Sequence, residues 1–140
     1  MSELIEFETE RLCLRQWRAS DRDPFALLTA DPIVMEYFPS VLDRAASDTL
    51  ADRCEAHLAN NGWGLWAAEL NTTAEFIGYV GLSSPRPQLP FSPCVEIGWR
   101  LAAQHWGRGF ASEAARGALR VAYELLDLQE IVSFTSVGNR

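Results

Sequence analysis

The chain has no lysine: its twelve basic residues are all arginine, set against nineteen acidic residues, for a formal net charge of −7 over 140 residues. An acidic surface without a basic stripe repels phosphate backbones and anionic headgroups. Nucleic acid and anionic membrane are therefore excluded as partners, whereas a cationic partner such as an amine is accommodated. Cysteine is scarce, and Cys13, Cys54 and Cys94 are odd in number, widely spaced and free of any CxxC pair. That argues against a disulfide framework and against a zinc site, and no metal is expected. No apolar run approaches the roughly 18 residues that a membrane span requires. The first ten residues hold Glu3, Glu6, Glu8 and Glu10 and no basic residue, unlike a secretory leader, so a cytoplasmic location is the expectation. Asn71-Thr72-Thr73 matches a glycosylation acceptor, which carries little weight in that setting.

Internal repeats and long linkers are also missing. One proline-rich stretch, Ser84 to Pro93, with Pro85, Pro87, Pro90 and Pro93, reads as a loop. The apolar fraction of 48% and charged fraction of 22% are ordinary for a globular chain. Residues 1–140 are read as one domain able to bury a single core.

Alternation of Leu12 and Leu14 predicts a first strand over Arg11–Trp17. Ser20 to Asp23 reads as a helix cap, and a short helix runs to about Ala30. Asp31-Pro32 opens a turn over Ile33–Phe38 that Pro39 closes. Ala46, Leu50, Cys54 and Leu58 form an apolar stripe on a helix from about Asp43 to Asn60, which Asn61-Gly62 ends. Strands follow at Gly64–Leu70 and Phe76–Ser83, joined by a short hairpin connection. Val95–Leu101 alternates as a strand. A strong helix pattern begins near Gly109, and Ile131–Val137 is a last strand. The order β-α-α-β-β-β-α-β predicts an α/β (α+β) fold with a mainly antiparallel sheet and one βαβ unit near the end.

The chemistry is concentrated between Val95 and Ala115, where VEIGWRL leads through a short turn into QHWGRGFASEAA. Gly107 and Gly109 fall where the helix must start. Glycine there permits positive φ and a close ligand approach, and the free amides of a first helical turn attract phosphate. Arg108 can add a charge-assisted contact. The pair alone is weak, because a helix start merely tightened by glycine looks the same. No Walker lysine follows, and the third glycine of the dinucleotide fingerprint is missing.

Gln104-His105-Trp106-Gly107-Arg108-Gly109 fits the pattern Q/R-x-x-G-x-G/A. Together with TERLCLRQW at 9–17 and ADPIVMEYFP at 30–39, it resembles the GNAT N-acetyltransferases, in particular their RimJ/RimL-like branch. The likeness runs from Thr9 to Asn139. It implies acetyl-CoA as co-substrate and a primary-amine acceptor, either a protein N-terminus or a small amine. It also implies that backbone groups of Trp99, Arg100 and Leu101 bind the pantetheine arm, where the strands at 95–101 and 131–137 splay apart. Behind Gln104, the amides of Gly107, Arg108, Gly109, Phe110, Ala111 and Ser112 would hold the pyrophosphate, and Asn139 would reach the pantetheine. Glu96 would be the base that takes the amine proton; a Glu96 that faces solvent or pairs with an arginine is the alternative.

Trp17, Tyr37 and Trp63 are open between acceptor wall and core, Trp66 is read as core, His57 as a packed side residue and His105 as a surface imidazole. Members of the family usually continue with a further helix and strand and with a group that protonates the leaving thiolate. A C-terminally short form is therefore expected to be weakly active, or to be a non-catalytic acyl-CoA-binding module. Its exposed last strand would pair in a homodimer.

Overall fold

The computed structural model describes residues 4–36, 38–83, 95–125 and 131–133; of Val95, Glu96, Leu125 and 131–133 it describes the backbone alone. Six strands form one sheet in chain order: β1 (Phe7–Glu8), β2 (Leu12–Arg15), β3 (Leu65–Leu70), β4 (Phe76–Ser83), β5 (Val95–Leu101) and β6 (Ile131–Ser133). β1 to β5 pair antiparallel, and β6 lies parallel to β5. The helices are α1 (Arg22–Thr29), α2 (Arg44–Asn61) and α3 (Phe110–Arg120), the last widening into a π turn at Val121–Leu125. The expected mixed, mainly antiparallel architecture is the one observed, with β4 and β5 bounded as expected at Phe76–Ser83 and Val95–Leu101. β1 was not expected, since two residues in a glutamate-rich stretch carry no period.

The β2 alternation buries Leu12 and Leu14 completely. Arg15, on the opposite face of β2, is buried as well. Its guanidinium donates to both carboxylate oxygens of Asp21 at 2.8 and 2.9 Å and to Glu69 Oε1 at 2.8 Å. Burial opposes that charge, but the bonds to Asp21 and Glu69 prevail and hold the Arg15 pKa above its ordinary value. Asp21 also accepts from the Arg18 amide at 2.7 Å, so it, rather than Ser20, closes the turn before α1.

On α2 the buried line is Ser47, Ala51, Cys54 and Leu58, while Ala46 is exposed. A strict four-residue spacing drifts about 40° per step around the helix, and steps of four, three and four correct the drift. Asp43 caps α2 by accepting from the Ala46 amide at 2.8 Å, and Gly62 ends it in the left-handed region at φ 83°. Trp17, Phe25, Phe76 and Tyr79 form an aromatic cluster between α1 and the sheet, with Trp17 edge-on to Phe25 at 4.9 Å. Trp66 is fully buried, as expected, with its Nε1 donating to Ile5 O at 2.7 Å. Among the described residues, no helix is long and apolar enough to cross a membrane.

Candidate active site

Among the described residues, β6 lies beside the first three residues of β5. The parallel register runs Val95↔Ile131, Glu96↔Val132 and Ile97↔Ser133, whereas β5 continues to Leu101. On the other side β5 stays paired with β4 along its length, from Glu96↔Ser83 to Leu101↔Gly78. The Ala102 amide donates to Ile77 O at 2.9 Å. Alternation then directs the backbone groups of Arg100 into the β4 ladder and those of Trp99 and Leu101 to the opposite edge. Trp106 Nε1 donates to Leu101 O at 2.9 Å from that edge, as the alternation requires.

The chain then enters a 3₁₀ turn, Ala103–His105, with Gln104 exposed on it, and reaches Gly107 and Gly109 at φ 77° and 79°. A Cβ on Gly107 would meet open space, so backbone conformation alone asks for glycine there. Gly109 caps α3, and the first helical bond within α3 runs from the Glu113 amide to Gly109 O at 3.0 Å. The amides of Phe110, Ala111 and Ser112 consequently have no acceptor within the helix, and Ser112 is exposed beside them. Phe110 and Ala111 turn inward to the core. The Arg108 guanidinium is exposed and has no ion pair among the described residues. The structure thus brings Trp99, Leu101 and the 107–112 turn into one continuous stretch. The backbone of Glu96 lies in β5, but its carboxylate lies outside the described residues, as do Tyr37 and Asn139.

Sequence reasoning missed what holds this turn. Arg11 donates from Nε to Glu113 Oε1 at 2.6 Å and from Nη1 to Arg108 O at 2.9 Å, and its guanidinium lies 4.4 Å from the centre of the Phe110 ring. The Arg11 amide donates to Glu113 Oε2 at 2.7 Å, and Thr9 Oγ1 donates to the same oxygen. Residues of the TERL stretch therefore clasp the glycine turn and the first turn of α3. A usable signal was the glutamate at 113, a charge set among the alanines of the buried helix face.

Burial pushes the Glu113 pKa up, yet the bonds from Thr9 and Arg11 outweigh it and hold the group below the ordinary carboxylate value of 4.5. With the folded value below the unfolded one, this stabilisation is complete above pH 4.5 and is lost as pH falls through the folded value. Glu113→Gln should cost about 1–3 kcal/mol near neutrality. It should also flatten the acid limb of the melting temperature against pH. Parallel acid limbs in the two proteins would show that Glu113 is not ionised in the clasp.

His105 is buried rather than at the surface. Its Nε2 lies 3.2 Å from Glu75 Oε2, and its Nδ1 has no partner. His57 packs edge-on to Trp63 at 5.1 Å, with Nδ1 2.9 Å from Trp63 O. Burial lifts the Cys54 thiol to about 12, which makes it inert as a nucleophile. Among the described residues, no group of three or more His, Cys, Asp or Glu side chains could hold a metal.

Comparison with known proteins agrees with this geometry. The chain is 30% identical over 141 aligned positions to the Bacillus subtilis (strain 168) protein YkkB, covering 100% of this chain and 81% of that one. A crystal structure of an acetyltransferase from Agrobacterium tumefaciens str. C58 superposes with a TM-score of 0.81 at 30% identity, over 100% of this chain and 79% of the other. A spermidine N-acetyltransferase from Vibrio cholerae, solved with CoA and spermine, shares the fold at 24% identity and a TM-score of 0.64, over 86% of this chain and 69% of that one. The family model described as an acetyltransferase (GNAT) domain matches residues 11–140. A strand that leads through a short turn into a glycine turn clasped at the start of α3 and a family match over nearly the whole chain agree: the protein belongs to the GNAT acetyltransferases.

Proposed function

We propose that the chain binds acetyl-CoA along the β5 edge and the 107–112 turn and transfers the acetyl group to a primary amine. The observation that carries this reading is the continuity of the two features. The Trp99–Leu101 end of β5 runs, through one 3₁₀ turn, into a helix start with three amides free of helical acceptors. The edge suits an extended amide-bearing arm, added as a strand would be. The helix start suits a diphosphate, with the Arg108 guanidinium beside it.

When bound, acetyl-CoA supplies an activated acyl thioester. The chain's own groups do the rest. The amides of Gly107, Arg108, Gly109, Phe110, Ala111 and Ser112 bind diphosphate, with Gln104 ahead of them. Trp99 and Leu101 align the arm from the strand edge, and an amide there is suited to stabilise negative charge developing on a carbonyl oxygen. Asn139 adds a contact to the arm. Glu96, directly or through a water, takes the proton that an ammonium acceptor must shed before it can attack.

Thiol release from acetyl-CoA with a panel of amines tests the reaction. Acetyl-CoA binding without turnover on any amine would favour a non-catalytic acyl-CoA-binding module instead. Gly109→Val tests the cofactor site. It forces a branched residue to φ 79° and brings a Cβ to 3.4 Å from Arg11 Nη2. Acetyl-CoA affinity should fall at least about tenfold. A folded variant with unchanged affinity by calorimetry would remove the turn from the site.

A further inference from the structure

A second cleft, of about 520 Å³, opens between the segment after α1, the start of α2 and β5. Met35, Phe38, Leu42 and Leu50 give it apolar walls. Among the described residues its charged lining is Arg53 and Arg100, with no carboxylate, in a chain of net charge −7. Arg100 is 7% exposed, and its Nε and Nη1 have no hydrogen-bond partner among the described residues. Its guanidinium lies 3.9 Å from the centre of the Phe38 ring and 5.4 Å from that of Tyr79. Among the described residues it forms no ion pair, whereas Arg15, equally buried, is matched by two carboxylates.

A buried guanidinium that faces aromatic rings and leaves its Nε and Nη1 without acceptors is costly unless an anion completes it. Arg100 is next in sequence to both Trp99 and Leu101, whose backbone groups face the proposed acyl-donor edge, so a group bound over it lies close to the reaction.

We propose that Arg100 is the anion-binding floor of the acceptor site and that the acceptor is an amine carrying a carboxylate on an apolar body, in the manner of an apolar amino acid. This rests on the acyl-transfer reading above. The guanidinium pairs with the acceptor's carboxylate, the walls of Met35, Phe38 and Leu42 cover its apolar body, and its amine is left towards β5. A polycationic acceptor is disfavoured by the same two arginines.

The test uses matched probes that need no turnover. N-acetyl-L-phenylalanine and N-acetylphenethylamine differ by one carboxylate and are titrated into the full chain by calorimetry. The carboxylate probe should bind at least about tenfold more tightly, Arg100→Gln should erase the difference, and Arg100→Lys should restore part of it. Equal binding of the two probes, or no binding of the carboxylate probe up to about 10 mM, overturns the proposal. If Arg100→Gln fails to fold, the two-probe comparison on the unaltered chain still decides. Thiol release with L-phenylalanine against phenethylamine gives the kinetic form, with the larger kcat/KM expected for L-phenylalanine. Loss of acetyl-CoA binding would instead defeat the acyl-transfer reading and leave the probe titration readable.

Discussion

Replacing Glu96 by glutamine is expected to lower acetyl-transfer turnover by about 10²–10⁴-fold while acetyl-CoA binds as before. The substitution keeps the shape of the side chain and removes its basicity. An alkyl amine is almost wholly ammonium near neutral pH, and only the neutral form can attack a carbonyl carbon. A positioned base therefore acts at the step where charge must leave the nitrogen. Glu96 sits near the start of β5, between Val132 of β6 and Ser83 of β4. Rates measured across pH 6–10 on both proteins decide the matter. The variant should regain much of its rate only as bulk hydroxide begins to deprotonate the amine. A variant with near-normal rates throughout would show that the proton leaves by another route.

Arg15→Ala is expected to be the most destabilising of the substitutions considered, by about 3–5 kcal/mol. It strips the cation from Asp21, which is 1% exposed, leaving uncompensated charge inside the fold, and leaves Glu69 only the longer 3.5 Å pair with Arg18. The same bonds tie β2 to β3 and to the turn before α1, so the loss reaches three elements. Pairing Arg15→Met with Asp21→Asn should recover part of the loss, because breaking one side of a buried pair costs more than removing both. Urea midpoints for the single and paired variants give the comparison. A single-variant cost below about 1 kcal/mol would mean that water reaches Asp21 in the folded protein.

The strand at 95–101 was legible because its apolar positions alternate over seven residues, and that at 76–83 because it is a short, nearly continuous apolar run, buried at seven of its eight positions. The helix at 44–61 was legible from its caps, Asp43 and Gly62, more than from its stripe, whose assumed spacing misplaced the buried face. The glycine turn was legible because positive φ at two nearby positions leaves glycine as the ordinary choice. The clasp on it was not, because no local pattern links Arg11 to Glu113, 102 positions away. Nor was the isolation of Arg100. A strand period says that residue 100 shares a face with its neighbours two away, but not that the facing segment offers it aromatic rings in place of a carboxylate.

The Arg11–Glu113 clasp has a consequence in time. A chain made from its N-terminus carries Arg11 through a further 102 residues before Glu113 exists to meet it. Arg15 meets Glu69 after 54. The inner part of the sheet can therefore close while the glycine turn is still unmade. Because loop-closure entropy grows only slowly with length, the late clasp costs little more to form than an early one. What the long separation changes is order: the glycine turn proposed to bind diphosphate is clasped by Arg11, a residue made 102 positions before its partner Glu113.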